Sequence, residues 1–307
     1  MDSGINMSSF TACYAVALVL EVPGRWSRFR FRRGACLLAA SAGVIVHTAY
    51  LGQRAVEMPT VPLASHHDWS LLAAWLLAVI YVGGLFYYPR SSLGVFLLPA
   101  VLALIGVSLF AAREPLASFE APRVWGLVHG VLLLLGTVAV LLGFLSGLMY
   151  LLQSSRLKHK TTGSSSDGLR LPSLEWLERV NSRSLGAAAL LVGGGFLTGT
   201  LNRLAQQGER GSLPWNDPVV LSLTSMLAWL VIAEVFRLVY PAARQGRKVA
   251  YLTIAAFVFL LLVLATVTWS DTLHTSGNEI IQRAVSSPTT ASPTTVSPML
   301  SPQGGTT

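Results

Sequence analysis

Apolar residues run along the chain in long blocks, with polar clusters confined between them. The blocks at 5–22, 34–52, 69–88, 92–111, 124–152, 184–202, 219–240 and 249–270 are each broken from the next by Pro, Gly or charge. A span needs about 20 apolar residues to cross a hydrocarbon core about 30 Å thick, and only a helix satisfies its own backbone amides there. The pattern therefore predicts an all-α, polytopic transmembrane bundle of about eight spans. The first block lacks a basic n-region and an A-x-A site, which predicts a retained helix and not a cleaved signal peptide.

Composition agrees, since 52% of the 307 residues are hydrophobic and only 12% are charged. The net charge of +8 raises nucleic acid as a partner until the basic residues are placed. Sixteen of the 22 lie in the first, third, fifth and seventh loops, from Arg25 to Arg33, at Arg90, from Arg156 to Arg183 and from Arg237 to Lys248. The positive-inside rule then puts those loops in the cytoplasm and both termini outside. The surplus is topological and shows no groove-like aromatic interleaving, so it argues against nucleic acid and for the lipid bilayer as partner. Cys13 and Cys36 fall inside spans without C-x-x-C or zinc spacing, and are predicted to be small core residues.

The fifth loop opens polar and Ser-rich and then turns amphipathic. Leu171, Leu174, Trp176 and Leu177 form one stripe, as in a short helix lying on the inner membrane surface or an ordinary linker helix. After Ile281 the chain becomes a Ser/Thr/Pro tract, which predicts a disordered tail over 282–307 behind a membrane domain over 1–281. Nothing resembles a P-loop. The glycines at 193, 194, 195 and 199 predict close helix packing.

Five of the six histidines fall on the predicted outer half: His47, His66, His67, His129 and His274. A lone histidine near a helix end is ordinarily a solvated or capping residue. Several at one depth acquire a second meaning, because imidazole is a favoured axial ligand of haem iron. On the same face lies GSLPWNDPVV, residues 211–220, in which Asp217 reads as a helix N-cap, Pro218 as the first helical residue and Trp215 as an interfacial aromatic. Arg113, Arg123, Arg203 and Arg210 also face outward, suited to carboxylates or to lipid phosphate. Glu234 is the most deeply placed carboxylate, and Arg237 three residues on is its expected partner.

Residues 122–158, with a histidine opening a helix that ends in Tyr-Leu and a basic Leu-Lys, resemble the cytochrome c assembly membrane proteins. This haem-handling family includes CcsA-type and HemX-type members. LPSLEWLERVNSR, GRKVAYLTIAAF and LHTSG at 273–277 are similar to later family segments, so the resemblance covers about 122–277. HTAYL and PLASHHDW are similar to its early helices. The resemblance implies that His129 and His274 are outer-face ligands of a b-type haem, with His47 a third. It sets Trp215 and Asp217 in a tryptophan-rich loop beside them. Of that loop's W-x-W-D-P core only Trp215, Asp217 and Pro218 stand here, and Val235 replaces a further family histidine. The implied protein is a multi-pass protein of a bacterial cytoplasmic membrane that binds or moves haem, with an assembly subunit and apocytochrome c as partners. It is not expected to be a stand-alone enzyme, and no catalytic residue is assigned. The alternative is a HemX-like scaffold or regulator of haem biosynthesis that holds no haem.

Overall fold

The computed structural model describes residues 6–22, 31–57, 65–88, 91–111, 123–158, 170–205, 217–240 and 246–286, with side chains on the last segment described as far as 267. Among them are eight helices and no strand: α1 (Met7–Glu21), α2 (Arg32–Glu57), α3 (His66–Tyr87), α4 (Gly94–Phe110), α5 (Arg123–Lys158), α6 (Leu174–Ala205), α7 (Pro218–Val239) and α8 (Arg247–Ser286). Six are long and apolar enough to cross a membrane. The other two, α1 and α4, have 15 and 17 residues. At 1.5 Å per residue they reach about 22 and about 25 Å, short of a full core unless the bilayer thins or flanking turns contribute. The chain divides into two compact units after Asp271. The expected tail lies outside the described residues from 287 onward.

Large apolar side chains point outward along most helices, among them Leu38 at 72% and Leu190 at 79% exposure. Water would not tolerate such a surface, whereas lipid requires it. The described helix ends that flank the basic loops meet at one end of the first unit. Glu21 at the end of α1 touches Gly94 at the start of α4, and Arg33 donates to the Leu85 carbonyl at 3.3 Å. The Ser92 amide donates to the Arg170 carbonyl at 2.7 Å, and Arg247 donates to Ser154 Oγ at 3.1 Å. This alternation is what the basic-residue pattern requires of loops one, three, five and seven.

The amphipathic stretch of the fifth loop is no separate surface helix. It forms the first turns of α6, where Leu177 is fully buried and Trp176 packs on Tyr88 with ring centroids 4.7 Å apart. Its apolar stripe faces protein, because the loop between α3 and α4 supplies a partner.

Without a hydrophobic drive between helices in lipid, close approach and interhelical hydrogen bonds hold the bundle. Gly136 and Gly195 let α5 and α6 interlock, with Val192 and Leu133 filling the space their side chains would take. Further in, Gly143 and Gly147 of α5 admit Thr253 of α8, and Phe144 stacks on Phe257 with centroids 3.9 Å apart. Asn181, 1% exposed, sits where α5, α6 and α8 meet. With its amide nitrogen toward Gly143 it donates to that carbonyl at 2.9 Å and to Thr253 Oγ1 at 2.9 Å, while its oxygen accepts from the Ala250 amide at 3.2 Å. Three such bonds at about 0.6 kcal/mol each sum to about 2 kcal/mol. Asn181→Leu is expected to lower the midpoint of thermal unfolding in detergent accordingly. An unchanged midpoint would show that apolar packing alone joins these helices.

At the same end, Cys36 Sγ lies 3.3 Å from Glu21 Oε2 and 3.0 Å from Tyr81 Oη, a buried chain linking α1, α2 and α3. The thiol is a core residue, as its position in the second apolar block predicts, but a hydrogen-bonded one. On α7, Arg237 Nε donates to Glu234 Oε2 at 2.9 Å, so the expected intrahelical pair forms.

Candidate functional site

The opposite end of the first unit carries His47, His66, His67 and His129. His129 lies six residues into α5, about 9 Å from its start. It is half-buried, and its Nδ1 is 2.7 Å from the Gly195 carbonyl of α6. A carbonyl oxygen has no proton to give, so Nδ1 must donate. In the neutral ring the lone pair is then left on Nε2. A metal-ligating imidazole is usually held in this way, its other nitrogen giving its proton to a backbone carbonyl or carboxylate. The ring lies directly over Gly199, where an added Cβ would stand 2.6 Å from Cε1 and 2.9 Å from Nδ1.

The residue after His129 makes a second close contact. A Cβ on Gly130 would meet Cη2 and Cζ2 of Trp69 at 2.7 Å, so the indole of α3 rests on the backbone of α5 beside the histidine. Trp69 is held there by the start of α3. Ser65 and Asp68 form a reciprocal capping box, and Asp68 accepts from Arg54 Nε of α2 at 2.8 Å. Next to it, His67 is 1% exposed and donates from Nδ1 to the Ser108 carbonyl of α4 at 2.7 Å. That bond settles which of the two adjacent histidines faces inward: His67 braces α3 on α4, while His66 is half-buried at the helix start.

His47 stands among other partners. It is fully buried, stacked on Phe10 with centroids 4.1 Å apart, with Nδ1 3.4 Å from Tyr14 Oη and Nε2 without a partner. Its surroundings are α1 and α2. Asp217 caps α7, accepting from the Val219 amide at 2.8 Å with Pro218 behind it, as the sequence predicts. Trp215 lies outside the described residues, as do Arg113 and Arg210 and the side chains of Arg123 and Arg203. His274 falls on the α8 backbone within the second unit, and its side chain lies outside the described residues.

Among the described residues no three His, Cys, Asp or Glu side chains gather as a polydentate metal site. An axial haem site asks for less, one or two imidazoles with an open Nε2 and a flat apolar wall. His129 fits on its donor chemistry, and Trp69 and the glycines supply apolar surface beside it. His47 has the unpaired nitrogen but no room, because a fully buried side chain leaves no face for a macrocycle while α1 keeps Phe10 against it.

Two contributors are invisible in the sequence pattern. The Gly195 carbonyl is a backbone atom, and a glycine-rich span announces packing without saying which carbonyl a side chain will reach. Trp69 opens the third apolar block and reads as an interfacial aromatic. Its neighbour Asp68, a carboxylate at a span boundary, is the one signal that this end of α3 is anchored.

A family model described as cytochrome C assembly protein matches residues 63–274. No curated protein and no solved structure matches the chain. The matched region starts just before α3, so it takes in His67, Trp69 and His129 as well as the later segments.

Proposed function

Because the chain belongs to the cytochrome C assembly protein family, we propose that this multi-pass membrane protein binds haem, or helps move it, on the outer face of a bacterial cytoplasmic membrane during cytochrome c biogenesis. The observation that carries this reading is the imidazole of His129, with the Nδ1 proton committed to a carbonyl and a lone pair left on Nε2. His274, at the last residue of the family match, is the proposed second ligand. Trp215 and the outward arginines are proposed to cover the macrocycle and to pair with its propionates. The haem itself supplies the iron and the vinyl groups that an apocytochrome's cysteines need. The chain has no dithiol motif to keep those cysteines reduced, so we assign it no catalytic residue and make it a haem handler working with an assembly subunit and apocytochrome c.

A second reading is a HemX-like scaffold or regulator that holds no haem. The packed surroundings of His47 favour it, as does the survival of only Trp215, Asp217 and Pro218 in the tryptophan loop. The absorption spectrum of the detergent-purified protein, expressed with ample haem, separates the two. A Soret band that shifts or vanishes in His274→Ala is the expected result, and His47→Ala should leave it in place. A colourless wild-type protein rejects haem handling and leaves the scaffold.

A further inference from the structure

We infer that Gly199 and the Gly195 carbonyl form a seat that fixes the tautomer and direction of His129, making Nε2 the atom through which that residue coordinates. The inference rests on the haem reading for its purpose but not for its geometry. Free neutral imidazole shares its proton between both nitrogens. The Gly195 oxygen, which also accepts from Thr198 Oγ1 at 2.9 Å, stands 2.7 Å from Nδ1, and of the two places the ring can carry its proton only Nδ1 can donate there, so the seat selects one tautomer. The ring reaches that oxygen because Gly199 has no side chain. A Cβ there would stand 2.6 Å from Cε1, well inside any real carbon contact.

The spacing explains why glycine occurs twice. Gly195 and Gly199 are one turn apart and face α5 at Leu133 and His129, which are also one turn apart. At Gly195 the missing side chain admits an ordinary apolar contact. At Gly199 the same device admits a polar ring and brings it to the carbonyl one turn earlier. Gly199 and Gly195 are positioning residues, acting on any ligand only through His129.

The test compares Gly199→Ala with Gly136→Ala, using the full chain in detergent. Gly136 is the matched control, because a Cβ there would crowd the same pair of helices at 2.7 Å, against Val192 Cγ2 and away from the imidazole. In protein labelled with 15N-histidine, the His129 signals are identified by their loss in His129→Gln. Without haem, the wild type and Gly136→Ala should show a protonated Nδ1 and a bare Nε2. Gly199→Ala should show a mixture of tautomers. In haem titrations Gly199→Ala should bind about 10–100-fold more weakly, the usual effect of losing a ligand's orienting partner, with an altered Soret position, and Gly136→Ala should stay near wild type.

An unchanged tautomer in Gly199→Ala overturns the inference, and so does an equal change in Gly136→Ala, which would trace the effect to helix spacing alone. Should the wild type take up no haem, the haem reading fails, while the nitrogen spectra still decide whether the seat exists.

Discussion

Asp68→Ala is expected to cost about 3 kcal/mol of stability, toward the lower end of the 3–5 kcal/mol typical of breaking a buried ion pair. The carboxylate is 3% exposed and Arg54 19%, so part of the attraction is screened by water at the arginine. The other carboxylate oxygen, Oδ2, accepts from Ser65 Oγ at 2.6 Å and closes the capping box that starts α3, about 1 kcal/mol of that total. Asp68→Asn keeps the size and one acceptor, and should lose less. The pair Arg54→Met with Asp68→Leu should recover much of the loss, because two apolar groups need no compensation. Midpoints of thermal unfolding in detergent read all three. Equal midpoints for Asp68→Ala and the wild type would mean that the start of α3 is held by packing alone. The consequence reaches the site, because α3 delivers Trp69 to Gly130 and His67 to α4.

Much of this fold is legible in the sequence because lipid imposes simple rules. Apolar length gives the helices, and the alternation of basic loops gives which ends lie together, since an interior without water makes both unavoidable. The Asp217 cap and the Glu234 and Arg237 pair are legible for the same reason, being local in sequence. What escapes is long-range and specific. Nothing in the stripe around Trp176 says whether it meets membrane or protein, and the contact with Tyr88 depends on a loop more than eighty residues earlier. His47 and His129 look alike as histidines near the predicted outer side. Their difference comes from neighbours, with aromatic rings closing over one and glycine opening space for the other.

His129→Ala should abolish the haem-dependent absorption of the proposed function, with haem affinity falling more than about a hundredfold. Changing an orienting partner alone typically costs 10–100-fold, so removing the ligand must cost more. The substitution is not expected to unfold the bundle. The contact is half-buried, and what it leaves unpaired is one additional bond to a carbonyl that α6 already uses at Gly195. A vacated seat over Gly199 also offers room for a free imidazole, which can rebuild the Nδ1 bond and present its own lone pair. Imidazole added to His129→Ala should therefore restore the band in part, whereas it should not raise the lowered unfolding midpoint of Asn181→Leu, whose defect lies between helices. A band of full strength in His129→Ala, with unchanged position and affinity, would remove this imidazole from the haem site and leave its bond to Gly195 as helix packing.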